Sequence, residues 1–263
     1  MTDADSPPAS VDEALRLAAE AGRIILESGG ETYRAEDVIG AVASSLGALD
    51  AESFATPTGI MLSCAAPDGS TRSMVKRIRS RRMNLCKIAR VNDVARGAVA
   101  GELGPDEIDR RLCEIEALGG YPAPLPSLGA ALVTGFFCLL FGGAWNDALV
   151  AGAIGLFMGR VTSWLGSMRL SGFFVNIAGG AFTAFVALAT TSLGLANHLD
   201  TVIIGGIMLL VPGVMIVNAI RDTIAGDLVA GVARGAEAFI SAGGISIGVG
   251  FALKSWELLG GAW

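Results

Sequence analysis

The chain has 263 residues, 52% of them hydrophobic and 17% charged, with a formal net charge of −6 and a mean hydropathy of +0.58. Soluble domains average about 45–50% apolar and about 25% charged. The excess lies in the second half, which marks a membrane protein with a soluble domain in front. The acidic balance argues against general nucleic-acid binding. A lone His198 and four cysteines without a CxxC pair point to no metal and no cofactor.

The start, MTDADSPPAS, is polar and acidic, without the basic region or apolar core of a secretory signal. Residues 1–10 read as a frayed N-terminus and 11–120 as a small cytosolic α+β domain. Ser10 and Glu13 form a capping box. Val11, Leu15, Ala18, Ala21 or Gly22, and Ile25 then recur at helical spacing, with Asp12/Arg16, Arg16/Glu20 and Arg23/Glu27 as charge pairs on the wet side. Gly29-Gly30 ends this helix, and a second runs from Thr32 to Leu46. Glu52–Thr56 reads as a strand, and Gly59–Ala65 with Thr71–Ile78 as a hairpin closed by Pro67-Asp68-Gly69-Ser70. Asn84–Ala100 is a helix with Leu85, Ile88, Val91, Ala95 and Val99 inward. Pro105 opens the next, with Ile108, Leu112, Ile115 and Leu118 as its stripe.

Two charged features stand out here. Glu31, Arg34 and Glu36 crowd a helix start, either as a cytosolic gate or as solvated charges at a helix junction. Arg72, Lys76, Arg77, Arg79, Arg81, Arg82, Lys87 and Arg90 form either a solvated basic face or a contact for anionic membrane lipid, where each basic residue contributes about 1 kcal/mol.

Residues 121–126 alternate prolines and read as a stiff, extended linker. Residues 127–263 form a helical transmembrane bundle of five spans, at about 127–142, 144–159, 172–193, 201–220 and 235–253. The fold class is therefore a mainly α membrane protein, with a small α+β domain before five spans. Arg160 and Arg169 lie between spans two and three, and Arg221 and Arg234 between four and five. The positive-inside rule then puts the N-terminus in and the C-terminus out. An odd span count suggests a partner or a homo-oligomer. Gly155/Gly159 and Gly244/Gly248 permit close helix approach. Gly244–Gly248 also spells GxSxG around Ser246, but inside an apolar span with no later histidine, which excludes a nucleophile elbow.

The fourth span is broken at Pro212-Gly213, where the helix loses a hydrogen bond. Such breaks survive in membranes only where protein or a water-filled cavity satisfies the freed groups. Charges of both signs follow: Arg221, Asp222, Asp227, Arg234 and Glu237. A broken helix followed by such charges reads either as a solute pathway or as a kinked helix with an ordinary loop. Asp147 sits near the outer end of its span, as a pathway group or simply solvated, and Asn176 lies within the third span.

Four stretches, GGETYRAED at Gly29–Asp37, TPTGIMLS at Thr56–Ser63, FGGAWNDALVAG at Phe141–Gly152 and LLVPGVMIVNAIRDTIAGDLVAGVARGAEA at Leu209–Ala238, resemble the threonine/serine exporter family in its N-terminal-half form. The resemblance implies a bacterial inner-membrane exporter with a cytosolic domain and five spans. In this family a second membrane half lies on the same chain or on a separate small subunit, and some split members resemble dicarboxylate exporters. The expected function is gradient-driven export of a small polar metabolite, such as threonine, serine or a dicarboxylate. Half-helix ends at Pro212-Gly213 would face the solute. Asn176 and Asn218 would hydrogen-bond it, Arg221 or Arg234 would pair its carboxylate, and Asp222, Asp227 or Glu237 would carry a coupling proton. The alternative is a non-transporting membrane subunit or sensor serving a separate transporter. A hydrolase centred on Glu31 and Arg34 is the third and weakest reading.

Overall fold

The computed structural model describes residues 10–66, 68–122, 124–168 and 170–261. Residues 1–9 of the expected frayed start, Pro67 of the expected hairpin turn, Ala123 of the expected linker and Arg169 of the loop before the expected third span lie outside them. The chain divides into two compact units, one of residues 1–119 with 216–235, the other of residues 120–215 with 236–263.

In the first unit, α1 spans Val11–Glu27, with the Ser10 hydroxyl accepting from the Glu13 N–H at 3.2 Å. Its period-3.6 stripe of Leu15, Ala18, Ala21, Gly22 and Ile25 is buried. Arg16 turns to Asp109 at 2.8 Å instead of its neighbours on α1, and Arg23 binds Glu20, Glu27 and Glu116. Helix α2 covers Thr32–Ser45. Strands β1 (Leu49–Thr56), β2 (Gly59–Ala65) and β3 (Thr71–Arg77) form an antiparallel sheet in that order. Asp68 accepts from Ser70 to tighten the β2–β3 turn. Ile60, Leu62 and Cys64 alternate inward along β2. Helix α3 (Leu85–Val99) is capped by Asn84, and α4 (Pro105–Ala117) starts on Pro105.

Two expected core residues of α3 prove exposed. Ala98, 100° around the helix from Val99, takes the inward place, and Leu85 sits at the open first turn.

Helices α5 (Leu125–Leu140), α6 (Trp145–Ser167), α7 (Gly172–Ser192), α8 (Leu199–Ile207), α9 (Gly213–Ala225) and α10 (Leu228–Leu258) make up the rest. Among the described residues, α7 and α10 are long and apolar enough to cross a membrane, and α5 is a shorter apolar helix. Several boundaries differ from expectation. Leu125 and Pro126 join α5, because proline suits a first helical turn. Helix α6 runs past Arg160 to Ser167, with Arg160 folding back onto the Leu156 carbonyl. Helix α10 starts at Leu228, seven residues before the expected span, and continues through Arg234 and Glu237. A charge interrupts an apolar run without interrupting the backbone ladder.

The second unit packs through small residues. A Cβ on Gly180 would stand 2.6 Å from the Ile245 carbonyl, and one on Gly248 would overlap the Ile177 carbonyl, so α7 and α10 meet backbone to backbone. A Cβ on Gly155 would overlap Thr134 of α5, whereas one on Gly159 would meet nothing within 4 Å. Ser246 sits within α10 and donates to the Ala242 carbonyl at 3.0 Å.

Candidate functional site: the Gly29–Thr32 clasp

Helix α1 gives way to α2 through Gly29, Gly30 and Glu31. Gly29 has φ +84, a conformation open to glycine at no steric cost, and a Cβ there would also meet Met83. Glu31 occupies the cap position of α2, but its side chain makes no cap hydrogen bond. The first N–H groups of a helix need an outside acceptor. Asp222 of α9 supplies it: Oδ1 accepts from the Thr32 N–H at 3.0 Å and Oδ2 from the Thr32 hydroxyl at 3.2 Å. A carboxylate is favoured there by the positive end of the helix dipole.

Asp222 is fully buried and meets Arg234 Nε at 3.0 Å, with Arg234 4% exposed. Arg234 Nη2 also donates to the Gly30 carbonyl at 2.7 Å, and Asn218 Nδ2 donates to the Gly29 carbonyl at 2.9 Å. Arg221 donates to Glu31 at 2.5 Å, and Arg34 approaches the other Glu31 oxygen at 3.4 Å. Asn218, Arg221 and Asp222 share one face of α9 because they are spaced i, i+3, i+4. Gly226, at φ +97, makes the tight turn that returns the chain to carry Arg234 back to the same loop.

Burial works to raise the Glu31 carboxyl, but its own backbone N–H, Arg221 and Arg34 hold it below the usual carboxylate range. Two further acids move the other way. Burial raises the Glu36 carboxyl, helped by Asp227, Asp37 and Asp222 and opposed by the Ala55 N–H that it accepts at 2.7 Å. Burial and then the Asp222 carboxylate raise Asp227, whose Oδ2 is buried without a hydrogen-bond partner among the described residues. The arrangement thus combines a desolvated guanidinium–carboxylate pair with two acids biased toward holding a proton.

The sequence-predicted residues Glu31, Arg34, Asn218, Arg221, Asp222 and Arg234 come together here, with Glu36 and Asp227 coupled to them through charge. Asp147, Asn176 and Glu237 belong to the second unit. Asp147 is fully buried, which corrects the solvated alternative. It accepts from the backbone N–H groups of Ala144 (2.8 Å), Asn197 (2.6 Å) and His198 (3.2 Å), and lies 2.8 Å from His198 Nδ1. Asn176 lies beside Gly244 in the α7–α10 contact. Glu237 is half-buried on α10. The break at Pro212-Gly213 is present: α8 ends at Ile207 and α9 begins at Gly213. Sequence reasoning missed Thr32 and the Gly29 and Gly30 carbonyls. The available signal was a glycine pair between two helices, which leaves backbone groups in want of partners. Among the described residues, no group of three or more His, Cys, Asp or Glu could hold a metal ion.

A family model described as "Putative threonine/serine exporter" matches residues 16–256. The threonine/serine exporter of Corynebacterium glutamicum is 32% identical over 181 residues, 67% of this chain and 37% of that protein. The "Probable succinate transporter subunit YjjP" of Escherichia coli K12 is 26% identical over 252 residues, 93% of this chain and 95% of that one. The "Probable threonine/serine exporter" of Mycobacterium tuberculosis is 24% identical over 247 residues, 93% of this chain and 46% of that protein. The chain therefore spans less than half of either exporter and nearly all of the subunit. No solved structure matches.

Proposed function

The chain belongs to the threonine/serine exporter family, whose members are membrane transporters, and from that premise we propose that it is the first half of a gradient-driven inner-membrane exporter of a small carboxylate-bearing metabolite. The observation that carries this reading is the buried Asp222–Arg234 pair bound to Gly30 and Thr32. Threonine, serine and succinate, the solutes in the relatives' names, all carry a carboxylate. In this reading the solute's carboxylate exchanges with that of Asp222 for the Arg234 guanidinium, which forks onto two oxygens. Asp227 and Glu36 take up and release the coupling proton, because burial already favours their protonated forms. The Arg221–Glu31–Arg34 cluster acts as the gate, since Arg221 is half exposed and can swing into water while Arg34 stays beside the Glu31 carboxylate.

The topology proposed is a cytosolic N-terminus, with α5, α6, α7, the broken pair α8–α9, and α10 as the five crossings. The half-helix ends at Pro212-Gly213 offer their backbone groups to the solute. A small second membrane subunit of the same family supplies the other half. The 95% coverage of a protein called a transporter subunit, against 37% of a longer exporter, supports that partner.

The same coverage favours one second reading, a subunit that regulates a separate transporter and moves nothing itself. Efflux of radiolabelled threonine, serine and succinate would be measured from cells carrying the chain with and without a candidate small subunit. Export requires that Asp227→Asn and Arg221→Ala both slow efflux. Normal efflux in both variants overturns the site assignment. Solute flux through liposomes holding the partner alone would favour the regulatory reading.

A further inference from the structure

The sheet has two unlike faces. One is buried through Ile60, Leu62 and Cys64. On the other, Phe54 pairs with Met61 across β1–β2, and Met61 with Val75 across β2–β3. These three apolar side chains form one continuous cross-strand row and stand 49%, 51% and 73% exposed. Arg77 lies two residues beyond Val75 on the same side of β3, where the pleat returns every second residue to one face. Ser63, Ser73 and the acid Glu52 flank the row on its other side.

Beyond β3 the exposed chain carries Arg79, Arg82, Met83 and Leu85. From Thr71 to Arg90 there are eight Lys or Arg residues and no Asp or Glu. Lys76 is held by Glu20 at 2.8 Å and Lys87 by the Glu116 carbonyl at 2.8 Å. Arg77, Arg79 and Arg82 remain on the exposed surface.

An apolar row with Arg77 on its own face and an exposed arginine-rich segment directly after β3 suits one occupant. Apolar side chains settle at the headgroup boundary while guanidiniums meet lipid phosphates, and anionic lipid strengthens both contacts. A second copy of the chain would bring the same arginines against one another, and like charges across an interface are unfavourable. We propose that the outer face of the sheet, Phe54–Met61–Val75 with Arg77, docks on an anionic lipid surface, with Arg79 and Arg82 of the exposed segment that follows β3 adding positive charge. Docking does not depend on the Asp222–Arg234 pair or on solute export.

The test uses the full chain in nanodiscs of phosphatidylcholine, with or without phosphatidylglycerol. A spin label is placed at Met61→Cys after Cys86→Ser and Cys113→Ser, leaving the buried Cys64 and Cys138. With phosphatidylglycerol, the label gains accessibility to oxygen and loses it to a water-soluble nickel chelate. High salt reverses the change, because the Debye length falls to about 3 Å at 1 M. Arg77→Gln, Arg79→Gln and Arg82→Gln together weaken docking about a hundredfold, from about fivefold per basic residue. A label equally wet in both lipids overturns the proposal, as does docking unchanged in the triple variant. Spin–spin broadening in phosphatidylcholine alone would also overturn it, by showing that a second copy covers the face.

Discussion

At Gly29–Thr32 the chain is held by ion pairs and hydrogen bonds to residues 189 to 204 positions further on, while α7 and α10 are held by glycines that let backbone meet backbone. The difference lies in what each contact does with desolvation. In the clasp, a carboxylate and a guanidinium leave water together and survive because each charge faces the other and the Gly30 carbonyl and Thr32 N–H take up part of their hydrogen-bonding capacity. In the α7–α10 seam nothing charged is involved, and the fit rests on the absence of side chains. The clasp is therefore sensitive to removal of one partner, and the seam to addition of volume.

The largest expected effect breaks the clasp on one side only. Asp222→Ala or Arg234→Met alone leaves a buried charge unpaired and should cost about 3–5 kcal/mol, while the double replacement Asp222→Leu/Arg234→Met should recover most of that loss. Thermal unfolding in detergent reads both. Equal losses in the single and double variants would mean that the pair is not coupled. Next is the seam: Gly248→Leu should cost about 1–3 kcal/mol by overpacking against Ile177, whereas Gly159→Leu, facing open space, should cost far less. Asp147→Ala, which strands the N–H groups of Ala144, Asn197 and His198, should cost about 1–3 kcal/mol, with Asp147→Asn intermediate. This variant tests whether a polar knot in the second unit behaves like the clasp.

The smallest effects are at the gate and the acids. Arg221→Gln should cost no more than about 1 kcal/mol, because Arg221 is half exposed. Glu31 has a folded pKa below its unfolded value. Its contribution is present above the ordinary carboxylate range, near 4, and is lost as pH falls through the lower folded value. Glu36 and Asp227 are raised, so they carry the opposite sign. Their ionised forms cost stability at neutral pH, and that cost is relieved as pH falls through their folded values. Glu36→Gln and Asp227→Asn should therefore raise the unfolding temperature at pH 7 and flatten its rise on mild acidification. An unchanged pH profile would show that these acids titrate as ordinary surface groups.

Local signals were enough for much of this molecule. Ser10 and Asn84 announced their helices because a short polar side chain at a cap finds its N–H within three residues. The β2–β3 hairpin followed from a Pro-Asp-Gly-Ser turn between alternating strands. Pro212-Gly213 marked the end of one helix and the start of another, since proline cannot continue the ladder behind it. The residues of the clasp were each legible as charges of interest, from Glu31 to Arg234.

Only the tertiary structure decided who pairs with whom. Nothing within a few residues of Asp222 says that its carboxylate caps α2, because the N–H it satisfies belongs to Thr32. Arg221 and Arg234 looked alike in sequence, yet one is half exposed against Glu31 and the other is buried against Asp222 and Gly30. Asp147 could be read as solvated until folding brought the 197–198 backbone over it. Caps, turns and helix breaks rest on forces that act within a turn or two, so the sequence by itself determined them. Burial, and with it the strength of a charge pair and the direction of a carboxyl's titration, depends on what the rest of the chain excludes from water, and that is settled only when distant segments meet.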